Sequence, residues 1–244
     1  MEITLAAEPV ARLGGVVITN AMITSAIVVV LLLAVAAVYR ARLSIDSPGR
    51  FQSLIESVLE FVLNLCEATA GKELGRRVFP LVCTFFVFIL TANWFGLLPG
   101  FSAIWVVNFE GHRVPLLRAA NSDLNMTLAM ALIAVGTVQV LGVTTRGLGG
   151  YLKELATPLF LAPIHIISEI SHVISLAGRL FGNIFGGEVL LLVMYSILPY
   201  VVPALFVGLE ALFGFIQALI FTVLSVVYIS LAAGAEEAPS AHAG

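Results

Sequence analysis

The sequence predicts an all-α integral membrane protein: five transmembrane helices, one amphipathic interfacial helix, and a last pair of helices forming a long, strongly tilted hairpin. Three observations predict it. Of 244 residues, 60% are hydrophobic and only 11% charged, with a mean hydropathy of +1.06, whereas a soluble domain carries about 25% charged residues. Apolar runs long enough to cross a bilayer core of roughly 30 Å, which takes about 20 helical residues, recur along the whole chain. Between the first two runs lies a stretch whose apolar residues return at helical spacing instead of running continuously.

The elements follow in order within a single membrane domain, 1–244. Residues 1–15 carry Glu2, Glu8 and Arg12 but no basic cluster ahead of the first apolar run. This does not read as a cleaved signal peptide, so the first span is expected to stay. The spans are expected at 16–38, 78–98, 124–145, 159–198 and 200–233. Across 50–70, Phe51, Leu54, Ile55, Val58, Val62 and Leu65 share one helical face, and Gln52, Ser53, Glu56, Glu60, Asn64 and Glu67 take the other. Periodicity alone leaves two sites open for this helix, the membrane surface and the flank of a partner helix.

Orientation comes from Lys and Arg. The loop after the first span holds Arg40, Arg42, Arg50, Lys72, Arg76 and Arg77, and the loop after the second only Arg113 and Arg118. The positive-inside rule therefore puts the first loop in the cytoplasm, the N-terminus outside and the tail at 235–244 in the cytoplasm; Glu236 and Glu237 weigh little in that rule. The last two segments are too long for upright spans. Residues 163–198 would make a helix of about 54 Å at 1.5 Å per residue, so a flat hairpin turning near Pro199 and Pro203 fits best.

Several classes are disfavoured. Cys66 and Cys83 have neither disulfide-framework nor metal-ligand spacing and read as apolar fillers. There is no HExxH, GxSxG, GxxxxGK[ST] or GxGxxG motif, so neither a metal nor a cofactor is expected, and no basic patch suggests nucleic acid.

The polar residues inside the apolar runs carry the functional signal. His165, Glu169, His172, Arg179, Asn183 and Glu188 lie on the fourth run, and Glu210, Gln217, Thr222 and Ser225 on the fifth. Of twelve Lys and Arg residues, Arg179 is the one read as lying deep inside an apolar stretch. A guanidinium at the centre of a membrane helix costs about 2.5 to 3.5 kcal/mol on insertion scales and cannot shed its charge, its pKa exceeding about 12. At 100° per residue, His165, Glu169, His172 and Arg179 fall within about an 80° sector, while Glu188 lies near the opposite side. Glu210 and Gln217, seven residues apart, share a face of the last helix. Two wet pockets, one at Glu169 and one at Glu188, would be divided by a fixed positive charge between them.

Plainer readings stand beside these. Glu169 and His172 form an i, i+3 pair that neutralises itself; Glu210 snorkels to water near the turn; Arg179 pairs internally with a glutamate. Gly178, Gly182 and Gly186 repeat every four residues, a pattern that admits close helix approach, either by the chain's own last span or by a separate subunit. Asp123, at the start of the third span, is either an N-cap or the polar lip of an outer entrance.

The run Ser175-Leu-Ala-Gly-Arg-Leu-Phe-Gly-Asn183, followed by Gly187-Glu188, resembles the subunit a family of bacterial rotary F-type ATP synthases. Supporting motifs are Phe88-Ile-Leu-Thr-Ala-Asn93 with Gly96-Leu-Leu-Pro-Gly100, Ser122-Asp-Leu-Asn-Met-Thr-Leu-Ala129, and Phe215-Ile-Gln-Ala-Leu-Ile-Phe221. The resemblance implies a stator subunit of a bacterial inner (plasma) membrane, non-catalytic itself. It would work beside a ring of c subunits, with peripheral-stalk b subunits and the remaining ATP synthase subunits as further partners, and pass protons through two aqueous half-channels. Arg179 would match the family's essential arginine, and Asn183, Glu188 and Gln217 polar residues of the same interface and channels. Ser175, Gly178, Gly182 and Gly186 would face the ring. Glu210 falls where many bacterial relatives carry histidine, which would put two carboxylates at one site. His165, His172 and Val173 depart from the family's usual glutamate, basic residue and proline, with Glu169 displaced by one helical turn. The rival readings are a self-contained secondary ion transporter, against which the chain shows no internal repeat, and an intramembrane protease, for which Ser171 and His172 would face different sides of a helix.

Overall fold

A computed structural model of the chain describes residues 7–13, 15–44, 48–98, 100–101, 104–108, 111–147, 162–197 and 201–233. Within these, the side chains of residues 13, 16, 145, 146, 162, 163, 165, 166, 201, 202, 232 and 233 are left aside. The expected turn at Pro199 and the tail at 235–244 lie outside the described residues.

The chain opens with an antiparallel hairpin, β1 (Pro9–Leu13) and β2 (Val16–Thr19), and then runs into α1 (Asn20–Ala41). Val16–Thr19, apolar enough to be counted with the first span, is therefore strand. The switch to helix falls at Thr19, whose hydroxyl accepts from the Met22 amide at 3.3 Å as an N-cap does. Asn20 fixes the junction: its backbone N–H donates to Glu8 O and its Oδ1 accepts from the Glu8 amide. In α1 only Asn20, Ala21, Thr24 and Val28 are buried. Most of its Val and Leu side chains, Val30 and Leu33 among them, face outward from the chain.

Next come α2 (Arg50–Ala70) and α3 (Lys72–Gly96), joined by one residue, Gly71, at φ 77°. That left-handed conformation suits glycine and reverses the chain within a single position. The reversal presses the helices together: a β-carbon on Gly75 would stand 2.7 Å from the Cys66 carbonyl oxygen. Val62, Cys66 and Ala70 of α2 are thereby buried against α3 and the last helix, and Phe61 meets Phe86 at 6.0 Å between ring centroids. The helix thus packs on its own chain, leaving Phe51, Leu54 and Phe61 as an exposed apolar edge. Gln52, assigned to the polar face, is buried because its amide closes the α1–α2 loop. Its Oε1 accepts from Ser44 N at 3.0 Å, and its Nε2 donates to Ser44 O at 2.9 Å and to Glu56 Oε1 at 2.8 Å.

After α3 come a second small hairpin, β3 (Trp105–Val107) and β4 (Arg113–Pro115), a 3-10 turn at Ala120–Ser122, and α4 (Leu124–Arg146). The two longest helices follow, α5 (Ala162–Ile197, 36 residues) and α6 (Val201–Ala233, 33 residues), packed on each other and on α4. At 1.5 Å per residue they are about 54 Å and 50 Å long. Five helices are long and apolar enough to cross a membrane: α1, α3, α4, and most of α5 and α6.

The core joins α2, α3, α4, α5 and α6 through Val82, Phe86 and Ile89, Ala131 and Ala134, Leu176 and Leu180, and Phe221 and Val226. Phe85 and Phe221 meet edge to face at 5.5 Å, and Phe86 and Phe215 at 6.1 Å. Facing alanines, Ala131 and Ala134 on α4 and Ala177 on α5, let those helices come close, a substitute for hydrophobic driving force inside lipid.

Burial at the α2–α3 joint, with the neighbouring Cys83 thiol adding to it, pushes the Cys66 thiol up to about 11. Only the thiolate attacks maleimide. A shift upward from an ordinary value of about 8.5 therefore cuts the reactive fraction at pH 8 by about two orders of magnitude. Native membranes treated with N-ethylmaleimide at pH 8 are expected to leave the Cys66 peptide unlabelled by mass spectrometry, and detergent denaturation to expose it. Rapid labelling in the native state would mean that α2 does not lie against α3.

Candidate functional site

Helix α5 has two unlike faces. Leu176, Ala177, Leu180 and Ile184 are buried, while Ser171, Ser175, Gly178, Arg179, Gly182 and Gly186 follow one another on the exposed side. A β-carbon on Gly178, Gly182 or Gly186 would meet no atom within 4 Å. The glycine stripe consequently does not receive α6, the plainer reading of its spacing, and faces away from the described residues of the chain.

Arg179 stands on that open stripe and, among the described residues, has neither ion pair nor hydrogen bond. The internal salt bridge considered for it is absent among the described residues. One turn on, Asn183 Nδ2 donates to Phe213 O of α6 at 3.5 Å, tying the rims of the two helices together. The neighbouring positions on α6, Leu209, Leu212 and Phe213, are exposed as well.

Nine residues beyond Arg179, about 13 Å along the axis, lies Glu188. Its Oε2 is 3.5 Å from Nε of Arg118. Sequence reading had left Arg118 in an outer loop, yet the residue is 7% exposed. The loop between β4 and the 3-10 turn folds inward, its backbone bonded to α1 and its guanidinium brought against α5 and that turn. Arg118 Nε also donates to Ser122 Oγ at 3.1 Å, and its guanidinium carbon lies 5.9 Å from the Phe185 ring centroid. A usable signal was present: a lone charge in the apolar stretch Pro115-Leu-Leu-Arg-Ala-Ala120.

Glu210 does not snorkel to water. Its carboxyl packs against Gly187, where a β-carbon would stand 2.7 Å from Cδ, and it lies within electrostatic range of Glu188. Gly187 thus leaves room for the Glu210 carboxyl to lie in its present place near Glu188. Enclosed atoms of Glu188, Glu210 and Gln217 (Oε2, Oε2 and Nε2) lack a hydrogen-bond partner within the described chain. Beside them, Asn93 Nδ2 donates to Gly214 O at 3.1 Å and Asn93 Oδ1 accepts from Asn121 at 2.7 Å, while Trp94 donates to Ala211 O at 3.0 Å. These bonds lock α3 and the 3-10 turn to α6.

In the other direction from Arg179, ten residues or about 15 Å along α5, Glu169 Oε2 lies 3.9 Å from His172 Nδ1. The His172 ring stacks on Tyr228 of α6 with centroids 4.4 Å apart. The Glu169–His172 pair read from spacing is thus formed, and Tyr228 is a partner that spacing on one helix could not show. His165 sits on α5 one turn earlier, its side chain outside the described ones. Asp123 accepts from the Asn125 amide at 3.1 Å and caps α4, the plainer of its two readings.

The sequence profile of the ATP synthase A chain family matches residues 21–230. The chain belongs to that family. It is 34% identical to ATP synthase subunit a of Moorella thermoacetica over 220 residues, covering 90% of this chain and 93% of the relative. Against ATP synthase subunit a of Mycobacterium bovis the identity is 35% over 233 residues, covering 92% and 91%. Against ATP synthase subunit a 2 of a Bradyrhizobium species it is 35% over 224 residues, covering 91% and 92%. Family membership and five span-length apolar helices make this a multi-pass membrane protein.

Asn93 is 3% exposed, and truncating it would remove the interhelix bond to the Gly214 carbonyl and leave the Asn121 amide without its acceptor. An unsatisfied buried polar group costs about 1 to 3 kcal/mol. Asn93→Ala is expected to lower the thermal midpoint of the purified protein by several degrees, whereas Asn64→Ala, on the exposed side of α2, is expected to leave it unchanged. Equal midpoints would remove the clamp.

Proposed function

We propose that this chain is the stator subunit of a proton-driven rotary ATP synthase, and that Arg179 is the fixed charge between an outer and an inner proton route. The observation that carries the reading is the exposure of Arg179 on a bare glycine stripe. A guanidinium cannot neutralise itself, and in a membrane it needs a counter-charge. Its own chain offers none among the described residues, so the partner comes from outside: a ring of c subunits whose carboxylates pass along the face of Ser175, Gly178, Gly182 and Gly186. Bare glycines let a ring helix slide past at close range.

The mechanism follows from electrostatics. A ring carboxylate 4 Å from the guanidinium gains about 4 kcal/mol at an effective dielectric of 20, enough to stabilise its ionised form there. The same field repels hydronium and blocks direct passage between the routes. The outer route runs through Glu188, Glu210 and Gln217, with Asn183 at the interface; the inner one runs through His165, Glu169 and His172. Asp123, as the cap of α4, shapes the outer side. A site on the ring loads from one route and unloads into the other only by turning, which couples proton flow to rotation. To stay within hydrocarbon, helices of about 50 Å must lie strongly tilted, carrying Arg179 along the ring's flank. The N-terminus is outside and the C-terminus cytoplasmic, in a bacterial inner membrane. The nucleotide chemistry belongs to other subunits, and b subunits hold this chain against the ring. A self-contained transporter is the weaker reading, since it would close its binding charge inside its own helices.

ATP-driven acidification of inverted vesicles containing the whole complex tests this. At matched subunit levels, Arg179→Ala is expected to abolish pumping and coupled synthesis while the complex still assembles. Wild-type pumping in that variant would end the reading.

A further inference from the structure

We propose that Arg118 is a positioning residue for the outer proton route, holding the Glu188 carboxylate in place beside Glu210. The inference rests on the stator reading above but concerns a residue to which that reading gives no role. Arg118 is deeply buried and fixed from three sides. Its backbone N–H donates to Thr24 Oγ1 of α1 at 3.3 Å, its Nε donates to Ser122 Oγ of the 3-10 turn at 3.1 Å, and the same Nε lies 3.5 Å from Glu188 Oε2 of α5. Ser122 is itself held, donating to Ala119 O at 2.9 Å. A guanidinium held in this way keeps a positive charge beside the carboxylate, and that charge is what favours the carboxylate's place there.

The arrangement is asymmetric. Gly187 lets Glu210 approach from α6, so two carboxylates are drawn together, and of the two it is Glu188 that lies 3.5 Å from Arg118 Nε. The enclosed Oε2 atoms of both carboxylates lack a hydrogen-bond partner among the described residues, so what distinguishes them is the nearby Arg118 charge. Arg118 thus makes two chemically identical groups unequal, so a shared proton rests by preference on one of them, an order that repulsion between two equivalent carboxylates would not give. The positive charge also offsets the cost of enclosing two like charges in one place.

The test measures ATP-driven pumping per assembled complex in inverted vesicles carrying the full ATP synthase. Arg118→Gln is expected to lose at least about tenfold, and Arg118→Lys, which restores the charge, to keep at least about a third of wild-type pumping. A residue that only supports the fold would instead lower assembly and leave pumping per complex unchanged. Wild-type pumping by Arg118→Gln, or a Lys variant as impaired as the Gln variant, overturns the inference. If Arg118→Gln fails to assemble, Ser122→Ala decides. Removing the hydroxyl that orients the guanidinium is expected to reduce pumping two- to fivefold, and wild-type pumping there overturns the inference as well. Glu188→Gln separates the two levels: normal pumping by it removes the outer route itself, whereas impaired Glu188→Gln with normal Arg118→Gln removes only the role of Arg118.

Discussion

A charge that cannot be neutralised, placed on an open helix face where no described residue of its own chain pairs with it, is the constraint on which the rest of this structure depends. Arginine is the one basic side chain for which proton loss is no escape. In lipid such a group is tolerated when a counter-charge or water reaches it. Arg179 is exposed and has neither ion pair nor hydrogen bond among the described residues. On the proposed reading, the residues around it keep the site open to a neighbour while holding α5 in the core.

The packing meets both demands by dividing α5 lengthwise. Leu176, Leu180 and Ile184 anchor one side in the core, where facing alanines on α4 and α5 allow close approach. The glycines on the other side leave the backbone bare. Farther along the same helix another glycine acts in the opposite sense: Gly187 faces inward and admits the Glu210 carboxyl. Position on the helix, more than residue type, decides whether a glycine opens the surface or closes the interior. The Asn93 clamp to Gly214 and Asn121 then fixes α6 beside the polar cluster.

Much of the fold was legible because hydrocarbon imposes one rule, that backbone polar groups be satisfied within the segment, and hydropathy reports it directly. Where that rule gives way to local chemistry, the sequence was ambiguous. Val16–Thr19 is as apolar as the helix it precedes, and only pairing with Pro9–Leu13 makes it a strand. Gln52 looked solvent-facing by periodicity, yet a loop curls back to be bound by its amide. The Glu169–His172 pair was readable because both residues lie on one helix at i, i+3. Tyr228, stacked on His172, was not, because it comes from another helix. The charge of Arg118 was plain in the sequence; that its loop folds inward to reach Glu188 was not.

The central claim is that the open face of α5 at Arg179 is the face that meets the ring. Disulfide mapping addresses it directly, in a complete complex with Cys66 and Cys83 replaced by serine. Cysteines introduced one at a time at Ser175, Gly182 and Ile184 would each be paired with a cysteine beside the carboxylate of the ring subunit. The account predicts oxidative cross-links from Ser175→Cys and Gly182→Cys and none from Ile184→Cys, whose side chain is buried in the structure. Cross-links from Ile184→Cys with none from the other two would contradict it.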